Sequence, residues 1–491
     1  MSDTDTGSDS ALCAWLTRQS SAESVVISAQ RRLGGGAVQD NLLLDVTVTG
    51  GPMAGEQRWV LRSDARASLA ISASRAEEFV LLERAWHHGI RVPEPLWMCE
   101  DDSVLGRPFM IMRHVGGEAS PRALVARAGD NAFEPLVEAL GAELARIHAL
   151  PLPDDALHQH QETDVVARQL FDFQTRLARL EQPQPVLAWA LRWLARHPPA
   201  PSRTVLAHND FRTGNLLIDD GQLEAVLDWE FAGLNDAFAD IGWFCAPCWR
   251  FGGPGEAGGL GSIEAFLRGY ENAGGERPDQ KQLDGWIILA TLRWAVIALE
   301  QSARHDSGVQ PDLELALTSH LLPGLELDLL RLIPVDDEVD PTRLRHSAND
   351  VGVDGDGQAL PGAWEALSTL NEEARDLMEI TRQTLKSEII PALEGEARHS
   401  ALMVANALSI IARQQYQGES IWHQVRETLS HQLSLPMEPE DPHAAARTLV
   451  DEIHRGERDD PDRFEALRHL LREDALARAR ISQPRAAQAE Q

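Results

Sequence analysis

The sequence predicts an α+β chain, with a small β-rich part first, a larger helical part second and an all-α segment last. Three observations carry this. Before residue 113 apolar residues alternate, as in Leu42, Leu44, Val46 and Val48, or run in short blocks such as Trp59-Val60-Leu61, which is the period of strands. After residue 113 they recur at helical spacing, as in Leu140, Leu144 and Ile147, with one hairpin-like interruption near residue 220. The acidic stretch Pro334 to Gly362, rich in Asp, Gly and Pro, then separates a last helical run in which Val404, Leu408 and Ile411 share a face.

In chain order, residues 1–20 are expected as a disordered acidic tail leading into a short helix, and 21–112 as the β-rich part. Gly34, Gly35 and Gly36 sit between two strands; a tight hairpin explains them, and so does a loop whose amides approach phosphates. Residues 113–333 form the helical part, including a charged insert from Gln161 to Arg196 and a glycine-rich loop from Gly252 to Gly261. A linker over 334–362, a helical domain over 363–480 and a tail over 481–491 complete the chain. The linker is too polar to pack, so the helical domain is expected to be separable. Within it, Asp354-Gly-Asp356-Gly resembles a calcium loop only superficially, because Gly352 and Ala363 would fall at ligand positions.

The interruption holds the chemistry. Leu216 to Ile218 reads as a short strand, Asp219, Asp220 and Gly221 as a turn, and Leu223 to Leu227 as the returning strand. The fold-back brings Asn215 and Asp228 together at its open end. One amide oxygen and one carboxylate beside water suit Mg2+, which keeps waters and takes further ligands from nucleotide phosphates. Asp210, five residues before Asn215, is placed to meet an acceptor hydroxyl.

His208, Asp210 and Asn215, followed by Asp228-Trp229-Glu230 and Asp240, resemble the aminoglycoside phosphotransferase family, relatives of the protein kinases that act on small molecules. The resemblance implies a bilobal protein-kinase-like fold. It makes Asp210 the catalytic base, Asn215 and Asp228 the magnesium ligands, and Asp240 the brace of the catalytic loop. It also places Gly34 to Gly36 and Arg62 on the phosphates of ATP, Glu78 as the partner of Arg62, and Met112 and Val115 at the adenine. Glu77 and Glu83 compete with Glu78 as ordinary helix-surface acids. Asn209 stands where the family usually has Gly, and Asn is a tolerable replacement at positive φ. Arg212 replaces a frequent His, as in the subgroup resembling the kinase domain attached to certain acyl-CoA dehydrogenases. The C-terminal helical part resembles an uncharacterised domain often encoded beside such kinases.

Composition limits the partners. With a formal charge of −31 over 491 residues, a basic surface for nucleic acid or anionic membrane is excluded. Lys281 and Lys386 are the only lysines. The polar start lacks a signal-peptide pattern, and Trp286 to Leu299, interrupted by Arg293, is short for a membrane span, so a cytoplasmic protein is expected. Cys245 and Cys248 have redox or zinc spacing, but their aromatic neighbours point to a core. The expected reaction is ATP- and Mg2+-dependent phosphoryl transfer to a small-molecule hydroxyl, with a hydroxyacyl-CoA as first candidate and an aminoglycoside or amino-sugar as second. A silent nucleotide-binding scaffold is the rival class, against which stands the full set of base and metal ligands. The acceptor, the choice of ATP over GTP, the role of the helical domain and the oligomeric state are not legible.

Overall fold

The computed structural model describes residues 5–33, 39–64, 74–128, 133–152, 165–180, 182–308, 310–334, 377–414 and 443–489. It is a bilobal kinase-like fold with a β-rich N-lobe and a helical C-lobe, followed by a C-terminal all-helical domain. Strands β1 (Ser24–Arg32), β2 (Gln39–Thr49) and β3 (Gly55–Asp64) form an antiparallel meander. Beside β3 lies β5 (Phe109–Arg113) and beside that β4 (Pro95–Cys99), giving the order β1-β2-β3-β5-β4. Alternation sends Leu44, Val46, Val48, Trp59 and Leu61 to one buried face.

Residues 1–20 need correction as a tail. Helix α1 (Asp5–Gln19) buries Leu12, Trp15 and Leu16 in the N-lobe core, and Trp15 meets Phe109 edge-on at 5.0 Å. Its polar composition hid three apolar residues one turn apart. Helix α2 (Arg75–His87) opens with a capping box, Ser74 and Glu77 bonding each other's backbone groups.

Past β5 and the short helix α3 (Pro121–Arg127), α4 (Glu134–His148) crosses α8 (Ile263–Asn272) at contact distance. Glycine permits this crossing, since a Cβ on Gly141 would lie 2.0 Å from the Phe266 carbonyl oxygen and one on Gly269 1.8 Å from that of Glu138. The expected helical insert is two helices, α5 (Val165–Leu177) and α6 (Pro185–Arg196). Strands β6 (Thr204–Ala207) and β9 (Gly233–Asp236) pair around the hairpin of β7 (Leu216–Asp219) and β8 (Gln222–Val226), and α7 (Ala237–Cys245) follows. Asp220 and Gly221 have φ of 43° and 74°, the left-handed pair that a two-residue hairpin turn demands.

The long helix α9 (Gln280–Asp306) has 27 residues, more than expected, and by length and composition alone could cross a membrane. Two thirds of its most apolar window is nevertheless buried in protein, with Leu283, Trp286, Leu292 and Val296 in the core.

Contacts divide the chain into two compact units, Met1–Val165 with Ala200–Ile287, and Val166–Pro199 with Ile288–Gln491. The first holds the sheet and the hairpin. In the second, α6 and α11 (Leu322–Leu332, after α10, Leu313–Thr318) pack with α13 (Ala444–Arg455) and α14 (Pro461–Ser482), while α12 (Gly395–Arg413) joins α14. These units cut the chain elsewhere than at 333 and 363. Helix α6 is apolar on nearly every side, so Trp189 stacks on Phe464 at 4.8 Å, and Arg468 Nε donates to the Leu330 carbonyl at 2.8 Å. The expected tail also continues the fold, because α14 runs to Ser482 and Gln483 Oε1 accepts the Gly324 amide at 2.7 Å. Residues 335–376, with the calcium-like stretch, lie outside the described residues, as do Gly34, Gly35 and Gly36.

Candidate active site

The loop from β6 to β7 is built on one carboxylate. Asp240, fully buried on α7, accepts the amides of His208 and Asn209 at 2.7 Å each and the His148 ring at 3.0 Å. Burial pushes this carboxyl up, but His148, His208 and the amide bond together hold it below the usual range. The brace forces a tight turn, and Asn209 takes φ of 62°, with its side-chain amide donating to the Phe231 carbonyl at 2.9 Å. His208 donates from Nε2 to the Leu227 carbonyl and accepts the Asp210 amide at Nδ1, 2.9 and 3.2 Å. Burial lowers its pKa past the pull of Asp240 and Asp210, so the ring is neutral, as that pairing requires.

Asp210 is 9% exposed, and its carboxylate is held from three sides. Asn215 Nδ2 donates to Oδ2 at 2.6 Å, Trp243 Nε1 to Oδ1 at 3.0 Å, and Arg212 Nε reaches both oxygens at 3.1 and 3.2 Å. Arg212 in turn lies over the Trp249 ring, 5.0 Å from its centroid. Neither Trp243 nor Arg212 was expected to touch the base. Trp243 stands one helical turn beyond Asp240 on α7, so the same face that braces the loop also reaches Asp210. That spacing was the available signal. The glycine-rich loop is fastened here as well, Thr213 Oγ1 donating to the Gly258 carbonyl at 2.6 Å.

At the open end of the hairpin, the Leu227 amide donates to the Asn215 carbonyl at 2.8 Å and sets Asp228 beside Asn215 in the chain path. Asp228 takes φ of 59°, the left-handed region that Asp tolerates better than bulkier residues and that recurs at functional positions. Its carboxylate, a third exposed, accepts Arg62 Nη1 at 2.7 Å. Arg62 Nη2 lies 3.1 Å from Glu78, and Glu78 also pairs with Arg75. Glu77 is occupied by its cap and Glu83 is exposed, so Glu78 is the carboxylate beside Arg62. Burial works against both charges. The pairs with Glu78 and Asp228 nevertheless raise Arg62, and Arg62 ahead of Arg212 and His208 holds Asp228 below the usual range.

Met112 and Val115 stand apart from this cluster. Arg62 pairs with Met110 across the sheet, so Met112, two residues along β5, lies on the same face. Val115 is half-buried just past the strand, outside the ladder.

The residues fit a magnesium nucleotide. Arg62 Nε is buried without a hydrogen-bond acceptor, a donor that suits a phosphate, while Nη2 is held by Glu78. Asn215 spends its Nδ2 on Asp210, leaving the amide carbonyl oxygen, and Asp228 supplies a carboxylate, both ligands of the type magnesium takes. The cysteine pair has no such fit: Cys245 is fully buried, its thiol pushed up to about 12 by burial, and among the described residues no three His, Cys, Asp or Glu converge on a metal position.

Residues 30–286 match the model of the phosphotransferase enzyme family, APH, and residues 391–486 match a domain of unknown function, DUF6285. The chain is 31% identical over 195 residues to acyl-CoA dehydrogenase family member 10 of Mus musculus, covering 39% of this chain and 18% of that protein. Against family member 11 of Homo sapiens it is 25% identical over 258 residues, or 50% of this chain and 33% of the relative. The chain thus spans a third or less of these curated relatives. A solved structure from Ralstonia eutropha JMP134, assigned as an aminoglycoside phosphotransferase, shares 21% identity over 65% of this chain and 95% of its own, with a TM-score of 0.47.

Proposed function

The chain belongs to the phosphotransferase enzyme family, and we propose that it transfers the γ-phosphoryl group of ATP to a hydroxyl of a small molecule with magnesium as cofactor. One observation carries this reading. The hairpin ties a fixed carboxylate, Asp210, and a phosphate-seeking cation, Arg62, into one network through Asn215, His208 and Asp228.

Bound Mg-ATP supplies the phosphoryl group and a metal that offsets its charge. The remaining work belongs to the chain. Asp210, held by Asn215, Trp243 and Arg212, orients the acceptor hydroxyl and takes its proton late, and because its position is set before the acceptor arrives little reorganisation is needed. Arg62, steadied by Glu78 through Nη2, offers Nε to phosphate oxygens. Asn215 and Asp228 hold the metal, and Gly34, Gly35, Gly36, Met112 and Val115 complete the nucleotide site.

For the acceptor, family membership favours an amino-sugar of the aminoglycoside kind. Similarity to acyl-CoA dehydrogenase family members, of which the chain spans a third or less, keeps a hydroxyacyl-CoA as the second candidate. An ATP-consumption screen over both classes and hydroxylated amines decides among them. Turnover with one class, lost in Asp228→Ala together with Mg-ATP binding, supports the proposal; a folded protein that binds Mg-ATP and phosphorylates nothing favours the scaffold.

A further inference from the structure

The C-terminal helices carry a solvent-open cavity of about 360 Å3, lying between the stretch 377–389 and α12, with Lys386 exposed at its edge. Met378, Arg382 and Lys386 line it at four-residue spacing from one side, Leu408, Ala412 and Arg413 from the other. We propose that this cavity binds a small phosphomonoester.

Charge is the first ground. Acids outnumber bases by 76 to 45 in the chain, yet three of the four charged residues lining the cavity are cations. The fourth, Glu379, is already occupied: Arg382 Nε donates to it at 2.8 Å and Gln383 at 3.0 Å, bonds that hold its carboxyl down to about 2. Among the described residues no carboxylate pairs with Lys386 or Arg413. Arg413 spends only Nε, on the Ile481 carbonyl, and is held below its ordinary value by burial and by the like charge of Arg382. Two cations that make no ion pair among the described residues match the charge of about −1.5 to −2 on a phosphomonoester near pH 7, whereas a carboxylate supplies one.

Local geometry is the second ground. Lys386 lies in a π-helical turn, Leu385–Ile389, that runs into a 3₁₀ turn at Ile390–Ala392. Such a turn forgoes regular hydrogen bonding and is frequent where a helix re-aims side chains at a ligand. Met378, Leu408 and Ala412 provide apolar walls for the organic part, and the volume is that of a small-molecule site. The reaction proposed above yields compounds of this class, but the cavity stands on its own residues.

Phenyl phosphate titrated by calorimetry into the full chain, with the nucleotide site filled by Mg-ADP, tests the assignment. One equivalent binds; Lys386→Met weakens it roughly tenfold or more, Lys386→Arg restores it to within about threefold, and phenylacetate binds at least about tenfold more weakly. Unchanged Mg-ADP affinity in both variants shows that they are folded. Asp228→Ala separates the two readings, since it should lose Mg-ADP and keep phenyl phosphate. No bound equivalent, an unaffected Lys386→Met, or equal affinity for phenylacetate overturns the proposal.

Discussion

Replacing Arg62 by Met should move two affinities in opposite directions. Arg62 links Glu78 and Asp228, so Asp228 cannot serve a metal fully while it serves the guanidinium. Removing one partner of a fully buried ion pair costs about 3–5 kcal/mol. Here Glu78 retains Arg75, Asp228 is a third exposed and screened by water, and a buried donor without an acceptor, Nε, disappears with the side chain. We therefore expect about 2 kcal/mol of lost stability, which a two-lobed domain survives. The freed Asp228 gains about one charge-assisted hydrogen bond's worth of metal affinity, roughly tenfold. The nucleotide loses its cation, so metal-ADP affinity falls by roughly tenfold or more. Mn2+ titration followed by electron paramagnetic resonance reads the first effect, and calorimetry with Mn-ADP the second. A variant that binds the bare ion no better than wild type, or Mn-ADP equally well, would refute the placement of Arg62 between metal ligand and phosphate.

Two further outcomes follow from the second compact unit. Glu326 is buried beside Arg478 and Asp474, and burial outweighs Arg478 to raise its pKa from the ordinary 4.5 to about 7. The folded state then binds the proton more tightly than the unfolded one, so the contribution of Glu326 to stability is full below about pH 4.5, falls by about 3 kcal/mol on rising to about pH 7, and is flat beyond. Glu326→Gln should flatten that slope in urea midpoints taken across the range; an unchanged slope would show that Glu326 titrates normally. Limited proteolysis within residues 335–376 should yield fragments that still co-elute, because α11 and α14 remain joined by the Arg468 to Leu330 and Gly324 to Gln483 bonds. Clean separation of the pieces would restore the boundary expected at the linker.

What could be read from the sequence was local. The hairpin was legible because Asp220-Gly221 is turn chemistry that needs no tertiary help, and Asn209 signalled a left-handed residue through its own tolerance of positive φ. Contacts made across the fold were not. Trp243 looked like core because its aromatic neighbours suggest burial, and only its one-turn spacing from Asp240 hints that its indole faces Asp210, thirty-three residues earlier. Helix α1 looked like a tail because its polar residues outnumber the three that Trp97 and Phe109 require. The partition into units was hidden for the same reason: a helix apolar on every side declares that it will be covered but not by what.

The account turns on Asp210, and Asp210→Asn tests it most directly. The substitution keeps the shape and removes the charge and basicity, while Arg62 and Asp228 are untouched and Asn215 keeps its bond to the residue 210 carbonyl. With an acceptor in hand from the screen, single-turnover transfer should fall by roughly 100-fold or more while Mg-ATP affinity stays within about threefold of wild type. Transfer at the wild-type rate in Asp210→Asn would contradict the assignment of the base, and with it the mechanism built on the hairpin.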